Sequence, residues 1–227
     1  MSLHERANGQ RSSGAAGWSL VVPLKPASAG KSRLASFAGA HRASLVQAMA
    51  LDTVAAALAC PAVADVVVVT GDEGSADELR GLGAIVVPDE PGEGLNPALQ
   101  HGAAIATTRR PGTAIAAILA DLPALRPNEL ARALDAAREY PTSFVSDADM
   151  VGTTLYCAGA ASCFTPRFGS QSRAAHLATG AVELAMPGIA SVRRDVDTES
   201  DLREAVRLGV GPRTRIALAP LGHGLAL

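Results

Sequence analysis

The chain has 227 residues, with 20 basic against 22 acidic and a formal net charge of −2. A balance this even excludes a broad nucleic-acid surface and an acidic tail, and no apolar run reaches the ~18 residues of a membrane span. Hydrophobic residues make up 48% and aromatics only 3%, so a core must be built from Ala, Val, Leu and Ile.

Residues 1–17 are polar and charged, without the apolar centre of a signal sequence, and read as a disordered tail before one domain over residues 18–227. Trp18 to Val22 is an apolar run that predicts a buried strand. Pro23 breaks it into a loop of small residues carrying Lys25, Lys31 and Arg33. Cations and backbone N–H groups beyond a strand make a phosphate site. Gly30-Lys31-Ser32 looks like the end of a P-loop, but that motif needs a glycine where Lys25 stands, and prolines stiffen the segment, so the P-loop is rejected. A solvated basic loop is the plainer alternative.

Further along, His41 to Leu58 predicts a helix and Ala64 to Thr70 a β-branched strand buried on both faces. A short acidic helix between Gly71 and Gly83, a strand at Ala84 to Val87 and a loop at Asp89 to Gly94 follow. Leu95 to Thr107 reads as a helix and Thr113 to Ala120 as a strand ending at Asp121. Pro127 to Glu139 is a helix with proline in its first turn. Thr142 to Ser146 and Thr153 to Cys157 read as strands, Arg173 to Leu177 as a helix and Ile189 to Val196 as a last strand. Glu199 to Leu208 is a helix closed by Gly209. The alternation predicts an α/β fold, a mostly parallel sheet with helices on both faces and ligands beyond the carboxyl ends of its strands. Cys60, Cys157 and Cys163 are odd in number and lack metal-ligand spacing, so buried free thiols in a reducing cytoplasm are expected.

Three polar strand ends carry the candidate chemistry. Besides the cationic loop, Asp121 ends an apolar strand before Leu122-Pro123. It suits a divalent cation completed by substrate phosphates, or simply an N-cap. Asp195 and Asp197 stand at i and i+2 on a segment read as extended, pointing the same way. A metal, Arg193 or Arg194 would relieve their repulsion, and Asp197 is also a candidate helix cap. Asn96 offers an amide to a base edge or a cap for its own helix. Gly152-Thr153-Thr154-Leu155 and Phe168-Gly169-Ser170-Gln171-Ser172 pair hydroxyls with glycines and suit an anionic oxygen. His176 either stacks near the same ligand or sits satisfied on the surface.

Taken together, these motifs from about Trp18 to Leu208 resemble the guanylyltransferases of deazaflavin coenzyme (coenzyme F-420) biosynthesis, which join GMP from GTP to 2-phospho-L-lactate or phosphoenolpyruvate. The combination of Gly-Thr-Thr-Leu, Phe-Gly-x-x-Ser and Asp-x-Asp-Thr is the specific part. The resemblance implies a single-domain, Rossmann-like fold of the GT-A nucleotidyltransferase type. It places the GTP phosphates on Leu24, Lys25, Gly30, Lys31 and Arg33, and the guanine by Leu95 and Asn96. It places Mg²⁺ on Asp121, Asp195 and Asp197, with Lys25, Lys31 and Asp121 catalytic. The phosphorylated acceptor falls to Thr154, Gly169 and Ser172, with Thr153 the alternative match to the family threonine. Phosphoenolpyruvate is favoured through composition: alanine richness and arginine over lysine point to a high-GC bacterium, where the family is expected to use it. A nucleotidyltransferase with a molybdopterin or sugar phosphate acceptor and a non-catalytic nucleotide-binding homologue are the alternatives. The expectation includes a cytoplasmic enzyme, without nucleic-acid or membrane partners, for which a homodimer is compatible.

Overall fold

Largely buried, valine-rich sequence in the first third of the chain dictates a sheet covered on both faces. A computed structural model describes residues 17–26, 31–90 and 92–221. Among them β1 (Trp18–Leu24), β2 (Val63–Thr70) and β3 (Ile85–Val87) pair in parallel, followed across the sheet by β4 (Ile115–Ile118). With β5 (Thr142–Ser146), β6 (Thr153–Ala158) and β7 (Val182–Glu183) they form one seven-stranded sheet in the order β3-β2-β1-β4-β6-β5-β7. Only β6 runs antiparallel to its neighbours. The order reverses between β1 and β4, so the crevice beyond their carboxyl ends is the place for a ligand in such a sheet.

The helices are α1 (Ala35–Ala38), α2 (Arg42–Leu58), α3 (Glu73–Leu82), α4 (Leu95–Arg109), α5 (Pro127–Ala137), α6 (Ser172–Ala178), α7 (Ala190–Arg193), α8 (Glu199–Leu208) and α9 (Pro212–Leu218). One face of the sheet packs Leu20, Val22, Val66 and Val68 against Leu51 and Val54 of α2 and Leu130 and Leu134 of α5. The other packs Val21, Val67 and Val69 against Leu99, Ala103 and Ala106 of α4. Gly102 sets the approach of α4: a Cβ there would meet Val21 Cγ1 at 2.5 Å and Val69 Cγ2 at 2.7 Å.

Four readings of the sequence are corrected. Pro23 does not break the first strand: β1 runs through it to Leu24, with Pro23 opposite Val69 and Leu24 opposite Thr70. Ile189 to Val196 is not a strand; it forms the short α7 and then an irregular segment, held where the Val196 N–H donates to the Asp121 carbonyl at 3.1 Å. Thr113 to Ala120 pairs only over Ile115–Ile118. Cys60 and Cys157 are buried free thiols as expected, but Cys163 is exposed. The tail at residues 1–16 and the nucleotide candidate Gly30 lie outside the described residues.

Candidate active site

Local structure brings four stretches of chain to the β1/β4 crevice. β1 ends at Leu24, and Lys25, Lys31 and Arg33 follow. β4 delivers Leu119, Ala120 and Asp121, and the Thr53 hydroxyl of α2 holds the turn by accepting from the Leu122 N–H at 3.1 Å. The hairpin between β5 and β6 contributes Asp147, Asp149 and Thr153, and the segment after α7 contributes Asp195 and Asp197. These residues, with Leu95, Gly169 and Ser172, line a cleft of about 740 Å³. Apart from Gly30, the sequence candidates missing from its wall include Asn96, Thr154 and His176.

Lys31 is the electrostatic centre of the cleft. Its ammonium donates to Asp121 Oδ2 and to Asp197 Oδ1. Burial works against its charge, but the two carboxylates outweigh burial and hold the ammonium above the ordinary lysine range. Lys31 adopts φ 58°, a left-handed conformation uncommon outside glycine. Asp195 lines the same cleft. Desolvation first, then the charges of Asp121 and Asp197, raise its pKa to about 7. The expected trio of Asp121, Asp195 and Asp197 therefore does not form a ready ligand set. Among the described residues no three acidic, histidine or cysteine side chains converge as metal ligands. The physical reason is the lysine, which draws Asp121 and Asp197 to itself.

The donor set nevertheless fits a divalent cation. Asp121 Oδ1 is buried with no hydrogen-bond partner, and acidic groups outnumber the cation they share. Carboxylates completed by substrate phosphate oxygens are the usual environment of Mg²⁺. The capping question is also resolved. Thr198, not Asp197, caps α8, in a reciprocal arrangement with Asp201. Neither arginine sits between the carboxylates: Arg194 pairs with Asp201, and Arg193 donates to the Asp147 carbonyl.

The opposite wall differs from the sequence reading by one residue. Pairing between β5 and β6 shifts between Val145 and Ser146, with Leu155 opposite the first and Thr153 opposite the second. Thr154 is the extra residue in that irregularity, a device that re-aims side chains next to sites. Its hydroxyl turns to the Val145 carbonyl at 3.4 Å. Thr153 lines the cleft in its place, beside Gly169 and the buried Ser172. Asn96 neither caps α4 nor lines the cleft. Its amide donates to the Phe168 carbonyl at 2.9 Å and accepts from the Phe168 N–H at 2.8 Å, clamping the Phe168-Gly169 loop to the start of α4.

Sequence reasoning missed Asp147. Its carboxylate accepts from the Val151 and Gly152 N–H groups at 2.9 and 2.6 Å, folding the hairpin tip over the cleft. The signal was Asp five residues before a glycine, and a Cβ at Gly152 would meet that carboxylate at 2.5 Å. His176 was weighed as a surface residue and is fully buried. It stacks on Tyr156 at 4.7 Å between ring centroids, with Phe144 and Phe168 close by.

The family described as guanylyl transferase CofC-like matches residues 18–225. The chain belongs to that family. A phosphoenolpyruvate guanylyltransferase of Thermomonospora curvata is 59% identical over 197 residues, covering 87% of this chain and 86% of the relative. One of Streptomyces avermitilis is 57% identical over 205 residues, covering 90% and 95%. A solved nucleotidyl transferase from Methanothermobacter thermautotroptrophicus shares the fold at a TM-score of 0.59 and 20% identity, covering 86% of this chain and 98% of its own. The family is thus a nucleotidyltransferase family by sequence, on a fold it shares with that solved structure.

Proposed function

We propose that this chain transfers GMP from GTP to phosphoenolpyruvate and releases pyrophosphate, as a step toward coenzyme F-420. The observation that carries the reading is the two-sided cleft. Lys25, Lys31, Arg33 and Asp121 stand on one wall, and Thr153, Gly169 and Ser172 on the other. Relatives named for this reaction at 57–59% identity support the same acceptor.

In this reading Lys25 and Arg33, both exposed at the mouth, take the triphosphate, and Leu95 packs against the base. Lys31 leaves its carboxylates and neutralises charge developing at the α-phosphate. Thr153 and Ser172 hold the acceptor so that its phosphate oxygen attacks the α-phosphorus in line. The bond to the β-phosphate breaks and pyrophosphate departs. An ionised phosphate is already a nucleophile, so no general base is required, and catalysis is positioning and charge stabilisation. Asp121, with Asp195 or Asp197, would hold Mg²⁺, which supplies charge neutralisation of the phosphates when bound.

The test is incubation with GTP, Mg²⁺ and, separately, phosphoenolpyruvate, 2-phospho-L-lactate and a sugar phosphate, with mass detection of products. A guanylylated phosphoenolpyruvate formed one-to-one with pyrophosphate is expected. Turnover confined to the sugar phosphate, or none with any acceptor, would overturn the proposal.

A further inference from the structure

His176 sits outside the cleft wall, yet both of its ring nitrogens touch elements that build that wall. Nε2 lies 2.8 Å from the Arg167 backbone nitrogen, and Nδ1 lies 3.0 Å from Thr153 Oγ1. A backbone N–H can only donate, so Nε2 must be the acceptor and carry no proton. The ring is fully buried among Phe144, Tyr156 and Phe168. Desolvation there keeps it neutral, with its pKa lowered to about 4. A neutral imidazole with an unprotonated Nε2 must carry its hydrogen on Nδ1, where it faces Thr153 Oγ1; the ring also has the Ser172 backbone carbonyl as an acceptor. The threonine oxygen then receives one hydrogen bond, while its own hydrogen finds no acceptor among the described residues. Thr153 lines the cleft beside Ser172 and Gly169.

We infer that His176 is a positioning residue for the acceptor: through its Nδ1–H it fixes the Thr153 hydroxyl as a donor toward an anionic oxygen of the phosphorylated acid. Without the imidazole, the hydroxyl is free to rotate and present a lone pair to the anion. The same ring pins Arg167, so the hydroxyl donor and the Phe168-Gly169 backbone are set by one side chain. The inference rests on the acceptor reading above.

Two measurements test it, one independent of the reaction. Long-range proton–nitrogen correlation spectra of the histidine rings should show His176 as a neutral Nδ1–H tautomer at neutral pH. An Nε2–H tautomer or an imidazolium would overturn the inference whatever the enzyme's substrate. The second measurement is steady-state kinetics with each substrate varied. Thr153→Val should raise KM for phosphoenolpyruvate about tenfold to a hundredfold, the scale of one lost donor to a buried anion, with KM for GTP nearly unchanged. His176→Phe, which keeps the stacked ring and loses both hydrogen bonds, should do the same. The double variant should be little worse than either. His176→Asn, whose amide can still donate to Thr153, should recover part of the loss, and it also serves if the Phe variant does not fold. Additive losses, or equal rises in KM for both substrates, would mean that His176 is structural. A wild-type enzyme that ignores phosphoenolpyruvate would instead defeat the acceptor reading and leave the tautomer result standing.

Discussion

Lys31 holds a position that the sequence describes only in part. Its cationic character and its place after a strand were legible; its burial was not. With its side chain 15% exposed and bonded to two carboxylates, it is tied into the fold as well as lining the cleft. Lys31→Met should therefore lower melting temperature as well as turnover. Removing one partner of a largely buried ion pair costs about 3 kcal/mol, less whatever solvent reaches Asp197. Added MgCl₂ should restore more melting temperature to the variant than to the wild type, because a divalent ion replaces the missing charge. Equal responses to the salt would mean that the carboxylates do not bind it. His176 yields a second stability prediction. The unfolded chain takes up a proton near the ordinary histidine value of 6.5, which the folded protein refuses until about 4. Protons thus favour unfolding: stability is complete above 6.5 and declines as pH falls toward 4. The wild type should lose about 2 kcal/mol more than His176→Asn between pH 7.5 and 5. Urea titrations of both proteins at the two pH values give the difference, and parallel losses would show that the ring is already solvated when folded.

At the scale of elements, the covered strands were readable because β1 and β2 are mostly apolar, broken only by Ser19 and Asp65 before the terminal Thr70, and α4 because a long helix-like segment follows Gly94. The segment Ile189 to Val196 misled. Its apolar residues Ile189, Val192 and Val196 are indeed buried, but α7 spaces the first two and an irregular stretch buries the third. Periodicity in eight residues cannot separate those cases. The shift between β5 and β6, which exchanges Thr154 for Thr153, leaves no mark in composition at all. Helix α4 carries the clearest element-level test. Gly102 has no room for a methyl group against Val21 and Val69, so Gly102→Ala must push the helix off the sheet. A cost of about 1–3 kcal/mol is expected in urea denaturation. Because Leu95 and the Asn96 clamp sit on the same helix, the displacement should also raise KM for both substrates. A variant as stable as the wild type would mean that the sheet yields at this point.

For the molecule as a whole, the cleft gathers charge from stretches far apart in sequence. Asp121 follows β4, Asp195 and Asp197 follow α7, Asp147 follows β5, and Lys31 lies beyond β1. No local pattern reveals that these meet; the strand order does, by opening a crevice between β1 and β4. The meeting leaves more negative than positive charge in a half-buried space, and Asp195 responds with a pKa raised to about 7 by desolvation and by its acidic neighbours. A ligand pair that supplies a divalent cation together with a triphosphate should relieve that repulsion and tie the four stretches together. Binding to the folded state alone at a hundred times the dissociation constant adds about 2.7 kcal/mol. For a chain of this size that corresponds to a rise of roughly 5–10 °C in melting temperature. GTP with MgCl₂ should give this rise in differential scanning fluorimetry, and GTP with a chelator much less. Asp121→Asn should remove the difference between the two conditions while keeping the response to GTP alone, because Lys25, Arg33 and Leu95 remain. If Asp121→Asn retained the full magnesium-dependent rise, Asp121 would be a partner for Lys31 only, and the cation would have to be held elsewhere in the cleft.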